Sequence, residues 1–338
     1  MAPTTDDARA SSGPAASGGS DAGGTSGAAG AAETSGAARA SGAARANGAS
    51  AASGAFGPYR GRFGAARPAA LDGLALPPAR MPGWRGARPL KQWRYVGVYG
   101  AELMICVGAV RVGPGRQSFW AVWDRSAGRL RERTRLSRGG VRLAIDEPGR
   151  VLVRDGDVQI DLVLDEVDGI ETLCPHGGAY AWTRKQGGVR AHGRVVLDGV
   201  EHLLDALAIV DDSAGYHARR TAWRWSAGVG TTVDGRAAAW NLVEGINDPA
   251  SGSERTVWLD GLPAETAPAT FAEDLGRVAT GDGGDLRFSA EALRERNENL
   301  LLVRSSYRQP FGTFAGTLPG GVELAEGRGV MEAHTAAW

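Results

Sequence analysis

The densest chemistry in the sequence lies in one run, Asp211-Asp212-Ser213-Ala214-Gly215-Tyr216-His217-Ala218-Arg219-Arg220-Thr221-Ala222-Trp223-Arg224-Trp225-Ser226. Two carboxyl groups, an imidazole, a phenol, several cations and two indoles in so short a span are the mixture that binding and acid/base sites use. With Thr221 to Ala227 as a strand, Trp223 and Trp225 share one face while Arg224 and Ser226 take the other, because strand side chains alternate. Against such an aromatic wall desolvation favours a neutral carboxyl. Asp211 or Asp212 is then expected to deliver a proton, with His217 tuning or reprotonating it and the Trp faces stabilising a cation. The same residues also read as a turn leading into a core strand, since Asp and Ser side chains bond nearby backbone. A tight turn here expects positive φ at Gly215.

A second cluster runs from Pro175 to Gln186. Alternation puts Tyr180, Trp182, Arg184 and Gln186 on one face, which suits either an apolar ligand with a polar end or a barrel surface with Arg184 stacked over Trp182. His176 reads as a hydrogen-bonded loop histidine. The third run, Leu300 to Gly312, passes from apolar residues into Arg304, Ser306 and Arg308 on one face. A buried Arg304 needs a partner, for which Glu244 and Asp212 are candidates, whereas at an open barrel mouth water suffices. Tyr216, Asn241 and Glu244 join Tyr180, Trp182, Arg184, Trp223, Trp225 and Arg304 as candidate ligand-binding residues.

No metal site and no cofactor are expected. Cys106 and Cys174 stand far apart, with neither a Cys-x-x-Cys pair nor zinc-finger spacing. Gly228-Val229-Gly230-Thr231-Thr232-Val233 begins like a dinucleotide loop but has Val233 where the last glycine is required. The sequence contains no Gly-x-Ser-x-Gly elbow, Walker-type loop or His-Glu-x-x-His helix.

These side chains must be positioned by strands. From Trp84 onward short runs rich in β-branched and aromatic residues alternate with turn dipeptides. Asp155-Gly156, Asp198-Gly199, Asp234-Gly235 and Asp260-Gly261 each sit between such runs, and Asp-Gly is favoured where a hairpin turn needs positive φ. Strands are predicted at 95–99, 103–112, 118–123, 180–185, 221–227, 237–244 and 300–307. One helix is predicted from Ser289, as N-cap, through Glu291 and Leu293 to Arg296. The fold class is all-β, antiparallel and hairpin-rich, with two β-barrel or sandwich lobes at 83–205 and 206–338 and minor helix. Residues 1–55, nearly all Ala, Gly, Ser and Thr, are expected to be a disordered tail, either a linker or sequence ahead of a start near Met81. Residues 56–82, rich in Pro and Arg, are expected to form an extended lead-in.

Across 338 residues, 38 basic and 38 acidic side chains cancel, so no global field draws nucleic acid. The N-terminus lacks a secretory h-region, and no segment reaches the roughly 18–20 apolar residues that cross a bilayer. With only two cysteines, the expected location is a reducing cytoplasm.

At Arg88 to Gly97, His176 to Gln186, Asp211 to Gly230 and Arg304 to Thr317, the sequence resembles bacterial members of the domain of unknown function 2804 family. That resemblance covers most of the chain after the tail and brings no reaction with it. More distantly, the Asp/Gly/Tyr/His segment leading into Trp-x-Trp is similar to the two-lobed lipocalin-like proteins that include carotenoid hydratases and tocopherol cyclases. It implies two β lobes and an apolar ligand. Three functions stay open: binding of a small hydrophobic molecule in a Trp-lined cavity, cofactor-free acid/base catalysis of the hydratase, cyclase or isomerase type, and a protein-interaction scaffold. Because residues 1–55 lack side chains able to bury area, deleting them should leave the melting temperature unchanged within error. A drop of several degrees would show that the tail packs on the fold.

Overall fold

The computed structural model describes residues 56–136, 140–144, 147–300 and 303–337. Chain order gives β1 (Tyr59–Arg62), the short pair β2 (Trp84–Arg85) and β3 (Arg88–Pro89), then β4 (Lys91–Tyr99), β5 (Leu103–Val112), β6 (Gly115–Asp124), β7 (Arg129–Arg135), β8 (Val141–Ala144), β9 (Glu147–Asp155), β10 (Val158–Leu164), β11 (Ile170–His176), β12 (Ala179–Leu197) and β13 (Val200–Gly215). It continues through β14 (Arg220–Thr232), β15 (Ala237–Glu244), β16 (Thr256–Leu259), β17 (Leu262–Glu265), β18 (Ala269–Phe271), β19 (Arg277–Thr280), β20 (Asp285–Leu300), β21 (Val303–Leu318) and β22 (Val322–Ala337). Among the described residues the only helix is one 3-10 turn at Ala69–Leu71, so none is long and apolar enough to cross a membrane.

The first sheet runs β7-β6-β5-β4-β13-β12-β10-β9-β8, with β11 on the first half of β12 and β1 on β11. The second runs β17-β16-β15-β14-β22-β21-β20-β19-β18. Each sheet curls: β8 returns against β5 and β6, and β18 against β15. The result is the expected all-β, two-lobed lipocalin-like architecture. Its antiparallel meander follows from the turns. Asp198-Gly199 (φ 51° and 83°) and Asp260-Gly261 (φ 50° and 77°) take positive φ at both central positions, as a two-residue type I′ turn demands. The change of sheet comes at 216–219. Strand β13 runs unbroken through residue 206, where the sequence reading divided the lobes.

The predicted helix at Ser289–Arg296 is instead the middle of β20. A capping Ser and early acids are weak local signals, and β20 gains ladder pairing with β21 from Asp285 to Leu300. Glu291 falls at the bulge between Ala290 and Ala292, where it accepts from Trp123 Nε1 at 2.9 Å and ties the two sheets. Of the predicted strand 300–307, Leu300 closes β20 and residues 303–307 open β21. Leu301 and Leu302 lie outside the described residues.

Three apolar layers follow from strand alternation. Val96, Val98, Ile105, Val122, Ile160 and Val210 fill the first lobe, and Trp240, Leu242, Phe288, Phe314 and Met331 fill the second. Between the lobes lie Tyr95, Tyr99, Met104, Ile209, Trp225, Val243, Trp258 and Phe311. The lead-in is not merely extended. Its Leu71, Leu76 and Met81 pack on Leu173, Tyr180, Trp182 and Tyr216.

Gly215 does not adopt positive φ, because Asp211–Gly215 is strand and not turn. Glycine is required there by close approach: a Cβ would sit 2.6 Å from Ala181 Cα and 2.9 Å from Tyr180 O. Gly215→Val should therefore lower unfolding free energy by roughly 1–3 kcal/mol in chemical denaturation. Gly57→Val, where a Cβ meets nothing within 4 Å, should stay within about 0.5 kcal/mol of the parent. Equal effects would remove the close-approach account.

Candidate functional site

Strands β12, β13 and β4 are neighbours, and their register splits the tandem acids. Asp211 faces Lys185 and Tyr95, while Asp212 faces Arg184 and Arg94. Since alternate residues leave opposite faces, the first row points between the lobes and the second points away from that layer.

The second row is a buried ion cluster. Arg94 Nη1 donates to both Asp212 oxygens at 2.8 and 2.9 Å, and Arg184 Nε lies 3.5 Å from Asp212. Glu166 bridges both guanidiniums, accepting also from Gln186 Nε2 at 2.8 Å and Gly149 N at 2.7 Å. Burial pushes the Asp212 carboxyl up to about 6, although Arg94 and Arg184 pull it down. Asp212 does not line the cavity described next.

The first row opens on a cavity of about 410 Å³ between the sheets, walled by Trp93, Tyr95, Phe119, Trp223 and Trp225 with Val110, Val243 and Ile246. On the β12–β13 side its polar groups are Lys185, Asp211 and Glu254. Lys185 Nζ lies 2.6 Å from Asp211 and 3.4 Å from Glu254. Burial works to lower the Lys185 pKa, but the two carboxylates outweigh it and raise it above the usual lysine value. Burial raises Glu254. Asn241 accepts from Trp225 Nε1 at 2.8 Å and donates to Glu254 O at 2.9 Å, so it holds Trp225 against this wall.

The facing wall comes from β14, β21 and β22, where Trp225 is opposite Glu332, and His334 is opposite both Trp223 and Tyr307. Glu332 accepts from Trp223 Nε1 at 2.9 Å and from Gln309 Nε2 at 2.8 Å. Burial outweighs those donors and pushes its carboxyl up to about 7. His334 shares a hydrogen bond with Ser305 Oγ at 2.8 Å, and its pKa falls to about 4 through burial and the nearby Arg294 cation. Arg294 stacks on Phe119 at 4.2 Å and donates to Tyr307 Oη at 3.0 Å.

Of the residues singled out from sequence, Asp211, Trp223 and Trp225 line this cavity, and Asn241 braces it. His217 is buried behind Trp93, ring centroids 5.0 Å apart, with its pKa lowered to about 3 by burial first and then by Lys91 and His176. Tyr180, Trp182 and Tyr216 anchor the lead-in: Tyr216 Oη donates to Pro82 O at 2.7 Å, and Phe63 lies 5.9 Å from Trp182. Arg184 stacks over Phe63 at 4.7 Å, not over Trp182. Glu244 pairs with Arg224 at 3.6 Å near the surface. Arg304 is exposed on an outer groove and meets neither candidate partner, consistent with an open, watered position. Sequence reasoning missed Lys185, Glu254, Tyr307, Glu332 and His334 as site residues. Only the i, i+2 spacing of Glu332 and His334 hints at a shared strand face. Among the described residues no cluster of His, Cys, Asp or Glu could hold a metal ion.

The fold and site define an all-β, two-lobed lipocalin-like protein with an aromatic cavity between its lobes. The chain belongs to the domain of unknown function 2804 family (DUF2804), whose model matches residues 132–338. No curated protein matches the sequence. Among solved structures it is similar to a protein assigned as AttH from Nitrosomonas europaea, at 14% identity over 77% of this chain and 98% of that one, with a TM-score of 0.47. It is also similar to kievitone hydratase from Nectria haematococca, at 8% identity over 72% and 88% of the two chains with a TM-score of 0.43. A third is CghA with Sch210972, at 12% identity over 83% and 97% with a TM-score of 0.34.

Glu332 is bonded to an indole, so its titration should be visible optically. Trp emission followed from pH 5 to 9 should show a transition near 7 that disappears in Glu332→Gln. The linked stability has a definite sign. A carboxyl whose folded pKa lies above its unfolded value favours folding at low pH, and that contribution is lost as pH rises from about 4.5 through the folded value of about 7. Glu332→Gln should flatten that part of the stability profile, and an unchanged slope would assign it to another group.

Proposed function

We propose that the chain binds a small, mostly apolar molecule carrying a polar group in the cavity between its lobes. The supporting observation is the cavity of about 410 Å³ between the sheets, walled by three indoles, two phenols and a phenyl ring, with Lys185, Asp211 and Glu254 at one wall and Glu332 and His334 at the facing one. This is the size and composition of small-molecule sites, where apolar walls supply affinity and a few fixed polar groups set orientation. In this reading Trp93, Trp223 and Trp225 grip the apolar body, and Lys185 with Asp211 orients the polar end. Asp212, Arg184, Tyr180, Trp182 and Tyr216 hold the scaffold. An interaction-scaffold role draws little support, since Trp225 is buried between the sheets.

Acid/base catalysis on the bound molecule is the second reading, favoured by one observation. Glu332 has a carboxyl poised at about 7 against Trp223, where it can give and regain a proton at neutral pH. The proton donor in this version is Glu332, where the sequence pointed to Asp211 or Asp212. Titrating 1-anilinonaphthalene-8-sulfonate or a similar apolar probe should quench Trp emission. Trp225→Ala should weaken that binding at least tenfold, and Trp84→Ala, an exposed indole that does not line the cavity, should leave it unchanged. Equal losses in both variants would sink the cavity reading.

A further inference from the structure

Along one edge of the cavity a hydroxyl is hydrogen-bonded to an imidazole that has a carboxyl beside it, and we propose that Ser305 is an acyl-transfer nucleophile with His334 as its base. Ser305 Oγ lies 2.8 Å from His334 Nε2, and His334 Nδ1 lies 3.8 Å from Glu332 Oε1. Such a constellation is recognised by geometry and role, so the absence of a nucleophile elbow in the sequence does not weigh against it.

The parts are held from outside the trio. The imidazole is fixed between Trp223, ring centroids 4.2 Å apart, and Tyr307 at 5.3 Å. Trp223 and Gln309 fix the two oxygens of Glu332. Burial and Arg294 keep His334 neutral, and a neutral imidazole is what can accept the hydroxyl proton. Ser305 lines both the cavity and an outer groove of about 700 Å³. An apolar acyl group can therefore approach from the cavity while its leaving group departs through the groove.

The substrate class is an ester of a small apolar acid. Ser305 Oγ attacks the acyl carbon as its proton passes to His334 Nε2, and collapse breaks the bond to the alcohol oxygen, which takes that proton. Water then attacks the acyl-serine, leaving its proton on His334. That proton returns to Ser305 as the free acid departs. Tyr307 lies on the same strand face two residues on, its hydroxyl accepting from Arg294 Nη1 at 3.0 Å.

The proposal rests on the binding reading only for the apolar acyl group, and the test separates the two. The full chain is treated with an alkyl fluorophosphonate, digested and mapped by mass spectrometry. The expected result is an adduct on Ser305 that is absent in Ser305→Ala and forms at least tenfold more slowly in His334→Gln. Wild-type protein without an adduct on Ser305, or equal labelling rates in folded His334→Gln, overturns the nucleophile. If His334→Gln does not fold, heat-unfolded wild type takes its place, and labelling there as fast as in the native protein is equally fatal. Retained quenching by the apolar probe alongside absent labelling would leave the binding reading standing while the nucleophile falls.

Discussion

Register across β12, β13 and β4 decides the chemistry of both sides of the first sheet. Arg184-Lys185, Asp211-Asp212 and Arg94-Tyr95 are three adjacent pairs, and antiparallel pairing sets Lys185, Asp211 and Tyr95 in one row and Arg184, Asp212 and Arg94 in the other. A slip of one residue on β13 would turn Asp212 to the cavity face and take it from Arg94 and Arg184, leaving Glu166 between the two guanidiniums. Uncompensated buried charge of that kind costs several kcal/mol, about 3–5 when one partner of a pair is lost. The ion cluster thus specifies the register, and the register exposes Asp211 and Lys185 to the cavity.

The cavity exists because aromatic rings are matched to glycines on the facing strands at some places and to one another elsewhere. A Cβ on Gly187 of β12 would lie 2.3 Å from the ring of Trp258 on β16. This contact brings the backbone of one sheet against a ring of the other. Where Tyr95 meets Trp225, the rings sit edge to face with centroids 5.3 Å apart. Bulky side chains on both sheets then hold the backbones apart, and beside them lies the space lined by Trp93, Phe119 and Trp223.

How much of this was legible in the sequence follows from the range of the forces involved. Asp-Gly turns act within four residues, so the hairpins and the all-β class could be read directly, and β5 and β15 fall where alternation put them. The pairing of Trp223 with Trp225 on one face was legible for the same reason. Ser289 and Glu291 misled because their local helix preference, a few tenths of a kcal/mol per residue, was outweighed by sixteen residues of strand paired to β21. Which Asp faces the cavity could not be read, since period two separates neighbours without saying which side is which. Glu332 and His334 stood more than a hundred residues from Trp223 and Trp225, and only the β14–β22 register unites them.

Of the three buried carboxyl groups with raised pKa values, Asp212 and Glu332 differ most plainly in what a proton would do to their neighbours. Protonating Asp212 removes the charge that compensates Arg94 and Arg184, and Glu166 alone then faces two guanidiniums. That penalty couples its titration to the integrity of the sheet. Glu332 accepts from an indole and an amide, both neutral donors. Gaining a proton there weakens two hydrogen bonds but strands no cation, so the group can cycle between states while the walls stay in place. A site that exchanges protons at neutral pH needs that freedom, and in this fold the β22 carboxyl has it while the tandem acid on the far face of β13 does not.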